Sequence, residues 1–206
     1  MKQNDAVSQR LALCMVALLG LAACAGTAGS VRPISPASQA VLEQYDNLLI
    51  ETVAGPGVPV LLPDLARIER LIGIKVQEDE PQRFAAIRLA SSGRTRLASH
   101  TRAIEGGTEA SKNRETTELE AVVTIDTYQR GHAGSRFMGA GAGQIHINGS
   151  VGLVGRPEGG SMGKYRVEKT FAWGGSYGAT TDITDVEHGF AEAVASIILG
   201  EDEAQN

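Results

Sequence analysis

The clearest pattern along the chain is an alternation of apolar and polar residues, which is the period of a half-buried β-strand. It occurs three times in the second half of the chain, over residues 119–125, 145–153 and 165–173. Glycines crowd the segment between the last two runs, so we expect those two strands to form an antiparallel hairpin. An apolar run over residues 48–53, followed by a Pro-Gly turn, predicts the first strand of the domain.

Helical spacing begins over residues 65–72, where the apolar residues share one face and Gly73 is available as the stop. Residues 74–80 are ambiguous, because they fit a continuation of this helix and also alternate as a strand does. The next segment, 79–93, fits a second helix, and a strand over 84–89 fits it as well. The sequence therefore leaves the structure of this stretch open.

The last element is a helix predicted over residues 184–199, with one apolar face and a glycine directly after it. Thr184 and Glu187 have the spacing of a capping box. A C-terminal helix that closes over an antiparallel sheet predicts the α+β class. We expect a single domain over residues 41–200, with helices covering one face of the sheet, and a short acidic tail over 201–206.

The beginning of the chain has the pattern of a signal peptide. Lys2 and Arg10 precede an apolar run over residues 11–23, which as a helix would extend about 20 Å and would not span a bilayer core of about 30 Å. The small residues directly before Cys24 resemble the lipobox, in which the cysteine sulfur receives a diacylglycerol. We expect removal of residues 1–23 and acylation of Cys24. An ordinary secretory signal and an uncleaved short anchor are the alternatives.

Residues 24–40 are mostly small or polar, include two prolines and show almost no apolar periodicity. This composition predicts a lipidated N-terminus followed by a flexible tether. Ala25 follows the cysteine, and lipoproteins of Gram-negative bacteria that lack an aspartate at this position usually pass to the outer membrane. This resemblance implies a location at the periplasmic leaflet of the outer membrane.

Composition and charge exclude several classes of protein. The chain has 206 residues, a net charge of -5 and an isoelectric point near 5.4, which indicate one domain and argue against a nucleic-acid binder. Its two cysteines, Cys14 and Cys24, lie near the N-terminus, so the body of the chain cannot hold a disulfide framework or a cysteine-based metal site. Its histidines lack the spacing of a metal motif, and we expect no metal and no cofactor.

Basic residues are concentrated between positions 83 and 114. Within this segment, Arg94, Arg96 and Arg102 are candidates for a patch that binds an anionic partner, such as lipid phosphates or an acidic protein surface. A solvated face without a partner is the interpretation that we favour, because no aromatic residues interleave with these charges.

The segment before the second predicted strand carries Arg136 and a G-x-G-x-G run formed by Gly139, Gly141 and Gly143. Glycines permit a bulge or a sharp bend, and Arg136 could then donate hydrogen bonds to carbonyls that the bend leaves free. A nucleotide-binding loop is not favoured, because a strand rather than a helix follows the run. We therefore prefer a structural role for these residues over a ligand-binding loop.

These residues, together with Tyr128, Gly131, the hairpin and an alanine-rich helix over 191–198, resemble an uncharacterised family of bacterial outer-membrane lipoproteins, known only as a domain of unknown function. The resemblance covers about residues 118–199. It implies an α+β periplasmic domain with a role in the cell envelope, and it implies no particular activity.

The pattern G-x-S-x-G, which surrounds the nucleophile of many serine hydrolases, occurs twice, and its second occurrence contains Ser176. His188 is the only histidine downstream, and it lies in the predicted last helix. A small serine hydrolase that uses Ser176 is therefore the alternative function. We expect instead a non-enzymatic protein that binds another envelope component, with a protein as the expected partner, in assembly, transport or maintenance of the envelope. A subunit of a homo-oligomeric envelope complex is a further alternative.

Overall fold

The computed structural model describes residues 28–91, 117–138, 143–157, 159–172 and 175–201. The strands are β1 (Ala28–Ser35), β2 (Asn47–Ala54), β3 (Ala86–Leu89), β4 (Glu118–Gln129), β5 (Ile145–Arg156) and β6 (Gly160–Phe171). The helices are α1 (Gln39–Leu42), α2 (Leu62–Asp79), α3 (Ala133–Met138), α4 (Gly175–Thr180) and α5 (Ile183–Leu199). Within the described ranges, no helix is both long and apolar enough to cross a bilayer.

The strands form one sheet in the order β1-β6-β5-β4-β2-β3. The pairs β4–β5, β5–β6 and β1–β6 are antiparallel, whereas β2 runs parallel to both β4 and β3. The parallel pairing of β2 and β3 follows from the helix between them. After β2 ends, α2 carries the chain back to the end of the sheet at which β2 began, so β3 runs in the same direction as β2. The α+β class and the predicted hairpin are confirmed, and the sheet is mixed rather than antiparallel throughout.

The core lies between one face of the sheet and the helices α2 and α5, which pack against each other and against the strands. Its apolar side chains alternate along the strands, as Ile145 and Ile147 do in β5, and recur along α5, as Phe190 and Val194 do. Burial of one such side chain contributes about 1.5–3 kcal/mol. The long helices therefore cover one face of the sheet, as the alternation predicts.

The prediction of a flexible tether over residues 24–40 is wrong for β1 and α1. The strand β1 pairs with β6 in a register that places Ala28 opposite Thr170. Backbone hydrogen bonds to β6, rather than an apolar pattern, hold this strand, and Val31 packs against the core. Pro33 is tolerated because β1 is an edge strand. The domain therefore includes β1 in addition to residues 41–200.

Helix α2 continues past Gly73, the predicted stop, to Asp79. Gly73 is buried, and a Cβ atom at this position would come within 3.3 Å of the Leu89 side chain on β3. The glycine allows close packing of α2 on β3 and does not end the helix. Of the two alternatives for residues 84–89, the strand is present, as β3.

Helix α5 is confirmed, but its N-cap is Asp182 rather than Thr184. The Asp182 carboxylate accepts a hydrogen bond from the Thr184 amide at 2.7 Å, and the Asp185 carboxylate accepts one from the Asp182 amide at 2.9 Å. These two bonds form a capping box that does not use Glu187. Gly200, with a φ angle of 78°, ends the helix in the left-handed region.

The segments that follow β2, β4 and β6 all begin at the same end of the sheet. The strand register brings Ala28, Thr170, His146 and Gln129 into one row. Helix α2 follows the end of β2 on this side, α3 follows β4, and α4 and α5 follow β6. We call this part of the domain the loop end.

Replacement of Gly149 by alanine is expected to destabilise the domain, because the new Cβ atom would lie 2.6 Å from the Thr124 carbonyl oxygen and 3.2 Å from the Phe190 ring. Such overpacking costs about 1–3 kcal/mol. Gly152 in the same strand is the matched control, since the nearest atom to its Cβ would be 4.0 Å away. Urea denaturation is the measurement, and equal free energies of unfolding for the two variants would contradict this packing.

Candidate functional site

A network of polar side chains joins the first two turns of α2 and α5 to the end of β4 at the loop end. Asp64 and Arg67 belong to α2, Glu187 belongs to α5, Tyr128 belongs to β4 and Arg130 follows β4. We call these five residues the Arg67 network. It connects elements that are far apart in the sequence.

Arg67 and Glu187 form the centre of this network. The Arg67 Nε donates to Glu187 Oε2 at 2.6 Å, and Arg67 Nη2 donates to Glu187 Oε1 at 2.7 Å. Such bidentate, charge-assisted pairs are among the strong hydrogen bonds of proteins. Glu187 is fully buried, while the Arg67 side chain is 36% exposed. The hydrogen bond to Glu187 is the largest cause of a raised pKa of Arg67, so the guanidinium stays charged.

Tyr128 supplies a third donor to the same carboxylate. Its hydroxyl donates to Glu187 Oε1 at 2.6 Å. Burial first, and then the hydrogen bond and charge of Glu187, raise the pKa of Tyr128. The phenol therefore stays protonated and keeps its role as a donor. With three hydrogen bonds, the buried Glu187 carboxylate is satisfied on both oxygens.

Asp64 is the second carboxylate of the network and accepts from two guanidinium groups. Arg67 Nη2 lies 2.8 Å from Asp64 Oδ1, and Arg130 Nη2 lies 2.6 Å from Asp64 Oδ2. Burial alone raises the pKa of Asp64, but the hydrogen bonds and charges of Arg130 and Arg67 outweigh it and lower the pKa below its usual 3.8. Two carboxylates and two guanidinium groups thus neutralise each other at the loop end.

Arg136 attaches the segment between β4 and β5 to the start of α5. Its side chain is buried, with Nη1 donating to the Gly143 carbonyl at 2.9 Å and Nη2 donating to the Thr181 carbonyl at 2.7 Å. Gly143 has a φ angle of 63°, and a Cβ atom there would lie 2.5 Å from the His132 carbonyl oxygen. Only glycine fits this position without strain.

Large apolar side chains are exposed at the loop end, namely Leu61, Leu62, Phe137 and Met138. Leu61 and Leu62 lie at the start of α2, and Phe137 and Met138 end α3. Met138 is 88% exposed. Exposed apolar side chains that recur at one end of a domain are typical of a surface that contacts a partner or a membrane.

Several residues predicted from the sequence lie outside the described residues, namely Cys24, Gly139, Gly141, Arg94, Arg96 and Arg102. Two other arginines of the basic segment make contacts within the domain. Arg83 donates to the carbonyls of Leu42 and Tyr45 and stacks on the Phe84 ring, and Arg88 pairs with Glu118. These two arginines therefore have structural roles.

Ser176 lies in the first turn of α4, and His188 lies on α5, both with exposed side chains. In the described part of the chain, no group of three or more histidine, cysteine, aspartate or glutamate side chains is arranged to hold a metal ion. The polar groups of the Arg67 network bind one another. This arrangement holds α2, β4 and α5 together.

Sequence reasoning missed the Arg67 network, although the sequence carries a signal for it. Glu187 lies three residues before Phe190 and four before Ala191, within the apolar face of α5. Asp64 lies four residues before Ile68, within the apolar face of α2. A carboxylate in the middle of an apolar face needs a buried partner, and this irregularity could have identified the network.

The architecture is that of an α+β domain with a six-stranded mixed sheet, and comparison with solved structures finds the same fold. PelC from Paraburkholderia phytofirmans, described as a dodecamer, matches with a TM-score of 0.51 and 14% identity over 84% of this chain and 99% of PelC. A second PelC structure, also a dodecamer, gives the same TM-score at 13% identity, covering 84% of this chain and 98% of that one. At such low identity, these matches show a common fold alone.

A DUF330 protein from Xanthomonas campestris matches 88% of this chain and 98% of its own, with a TM-score of 0.37 and 13% identity. Scores below 0.5 do not establish a common fold. No family model matches the sequence, and no curated protein matches it. Membership of the lipoprotein family that the sequence resembles therefore stays a prediction.

Replacement of Arg67 by alanine is expected to cost about 3 kcal/mol of unfolding free energy, because it leaves the buried Glu187 carboxylate without a cation. Arg70, an exposed residue of the same helix, is the control, and its replacement by alanine should change stability by less than about 0.5 kcal/mol. Urea denaturation at neutral pH measures both variants. A loss for the Arg67 variant no larger than that for the Arg70 variant would show that the network does not stabilise the fold.

The pH dependence of stability tests Asp64. Because the pKa of Asp64 is lowered in the folded state, its contribution is fully present above its usual pKa of 3.8 and is lost as the pH falls through the lower folded value. Asp64→Asn should therefore be less stable than the wild type at neutral pH, and this difference should shrink on acidification below about pH 4. Parallel stability curves between pH 7 and pH 2.5 would contradict this role.

Proposed function

We propose that this chain is a bacterial lipoprotein, attached to the outer membrane by acyl chains on Cys24 and facing the periplasm. The observation that carries the proposal is the apolar run over 11–23 that ends in small residues and Cys24, a few residues before a folded domain begins. Each buried methylene of an acyl chain contributes about 0.8 kcal/mol, so several chains together form a stable anchor.

The distance between Cys24 and β1 would set how the domain sits on the membrane. Three residues, 25–27, separate Cys24 from Ala28. A fully extended chain covers at most about 3.6 Å per residue, so acylated Cys24 would hold the first residue of β1 within about 15 Å of the lipid headgroups. Ala28 belongs to the loop end, so the exposed apolar side chains of Phe137 and Met138 would lie on the membrane side of the domain.

We further propose that the domain acts as a subunit of a homo-oligomer that binds another envelope component and has no enzymatic activity. The fold shared with PelC, which is a dodecamer, supports the homo-oligomer. In the described part of the sheet, the edge strands β1 and β3 each have one side that is not paired with another strand. Such an edge can accept a strand from a partner. The mutual pairing in the Arg67 network supports the non-enzymatic assignment.

Replacement of Cys24 by serine tests the anchor, with Cys14→Ser as the matched control, because Cys14 would leave with the signal peptide. The wild-type protein and the Cys14 variant should fractionate with membranes, and mass spectrometry of each mature chain should show acyl groups. The Cys24 variant should lose both the acyl mass and its membrane association. An unmodified wild-type polypeptide, or a Cys24 variant that remains membrane-bound, would refute the anchor.

The same preparation tests the oligomer. The wild-type protein, extracted in mild detergent, should have a mass of several subunits by native mass spectrometry or by light scattering corrected for detergent. Chemical crosslinking in intact cells should then capture copies of this chain joined to each other. A strict monomer in both experiments would refute the homo-oligomer and would leave the membrane anchor unaffected.

A further inference from the structure

A cavity of about 620 Å³ lies between the second half of β2 and the first half of α2 at the loop end. Most of its wall is carbon, supplied by Val53 and Ala54 of β2 and by residues such as Leu65 and Ala66 of α2. The volume falls within the range of small-molecule sites, about 300–1,000 Å³. The Arg67 network does not line this cavity.

Two buried polar side chains line this apolar cavity, and each has an atom without a partner. Among the described residues, Glu69 Oε2 and Thr52 Oγ1 have no hydrogen-bond partner. Glu69 is fully buried and Thr52 is 1% exposed. Glu118 Oε1 and Asn148 Oδ1 also have no partner but do not line the cavity. A buried polar atom without a partner is costly, so a donor supplied from the cavity would stabilise Glu69 and Thr52.

The hydrogen bonds of Glu69 indicate which hydrogen-bonding group a ligand in this cavity would need. Its other oxygen, Oε1, accepts from the Ser91 amide at 2.8 Å and from the Ser91 hydroxyl at 2.9 Å. Glu69 is the acceptor in both bonds. Its second oxygen, Oε2, can accept further hydrogen bonds, and no ion pair within the described residues supplies a cation to it.

We propose that this cavity binds an amphipathic amine, with a primary ammonium group at Glu69 and Thr52 and an apolar body along the wall formed by β2 and α2. A primary ammonium has three N–H donors, which is enough for one hydrogen bond to Glu69 Oε2 and one to Thr52 Oγ1, and its positive charge favours a site beside a carboxyl group. The apolar body would bury carbon surface against the remaining wall. This site does not depend on the anchor or the oligomer proposed above.

Calorimetric titration of the full-length protein with octylamine tests the proposal, with the protein kept in phosphatidylcholine nanodiscs, whose headgroups have no N–H donor. Glu69→Gln should weaken octylamine binding by about tenfold or more, because it removes the charge and keeps the acceptor for Ser91. Glu78→Gln, on the exposed side of α2, is the matched control and should bind as the wild type does. Octanoate should not bind, since it would bring a second carboxylate to Glu69.

A second pair of variants covers the case in which the Glu69 variant does not fold. Ala66→Phe fills the cavity and should abolish octylamine binding, whereas Ile74→Phe, at an exposed position of α2, should retain it.

Repeating the wild-type titration in nanodiscs that contain phosphatidylethanolamine distinguishes a lipid headgroup from a free amine as the natural ligand. Weaker apparent octylamine binding there would assign the site to a lipid headgroup, and unchanged binding would assign it to a free amine.

Two results would overturn the proposal. One is the absence of any octylamine binding to the wild-type protein. The other is equal octylamine binding by the wild type, the Glu69 variant and the Ala66 variant, which would mean that the amine partitions into the lipid and not into the cavity. Neither result would bear on the acylation of Cys24, so failure here is distinguishable from failure of the proposed function.

Discussion

The pairing of Arg67 with Glu187 is the constraint on which the loop end of the domain depends. A fully buried carboxylate is tolerated only when a cation and hydrogen-bond donors surround it. Arg67 and Tyr128 supply these groups to Glu187, and Asp64 extends the contacts to Arg130. Because these side chains come from α2, β4 and α5, a shift of either helix relative to the sheet would leave a buried charge without compensation.

The two buried glutamates of the long helices differ in their hydrogen bonding. Both interrupt the apolar face of a long helix, Glu187 on α5 and Glu69 on α2, and both are fully buried. Glu187 has donors on both oxygens, whereas Glu69 has donors on one oxygen, has no partner on the other and is among the residues that line the cavity. Glu187 therefore has all of its hydrogen-bond partners within the protein, and Glu69 is the carboxyl group on which the proposed amine site depends.

Elements with a strong periodicity were predictable from the sequence, and elements held by tertiary contacts were not. The alternation in β5 and the helical spacing in α5 identify those elements, because burial of one face imposes the pattern. The strand β1 has no such pattern. It is held by backbone hydrogen bonds to β6, and these bonds do not require particular side chains. Glu118 and Glu120 of β4 look like solvent-exposed residues in the sequence but are buried under Arg88 and Arg156, because β4 lies inside the sheet.

The pairing of β1 with β6 also constrains the order of events during folding. A polypeptide is synthesised from its N-terminus, so β1 is available long before β6, the strand with which it pairs. Contacts between residues so distant in the chain form slowly, because the intervening segment has to be brought together first. The first segment of the domain to be synthesised therefore cannot acquire its hydrogen bonds until β6 has been made, so this sheet edge closes only after most of the chain is available.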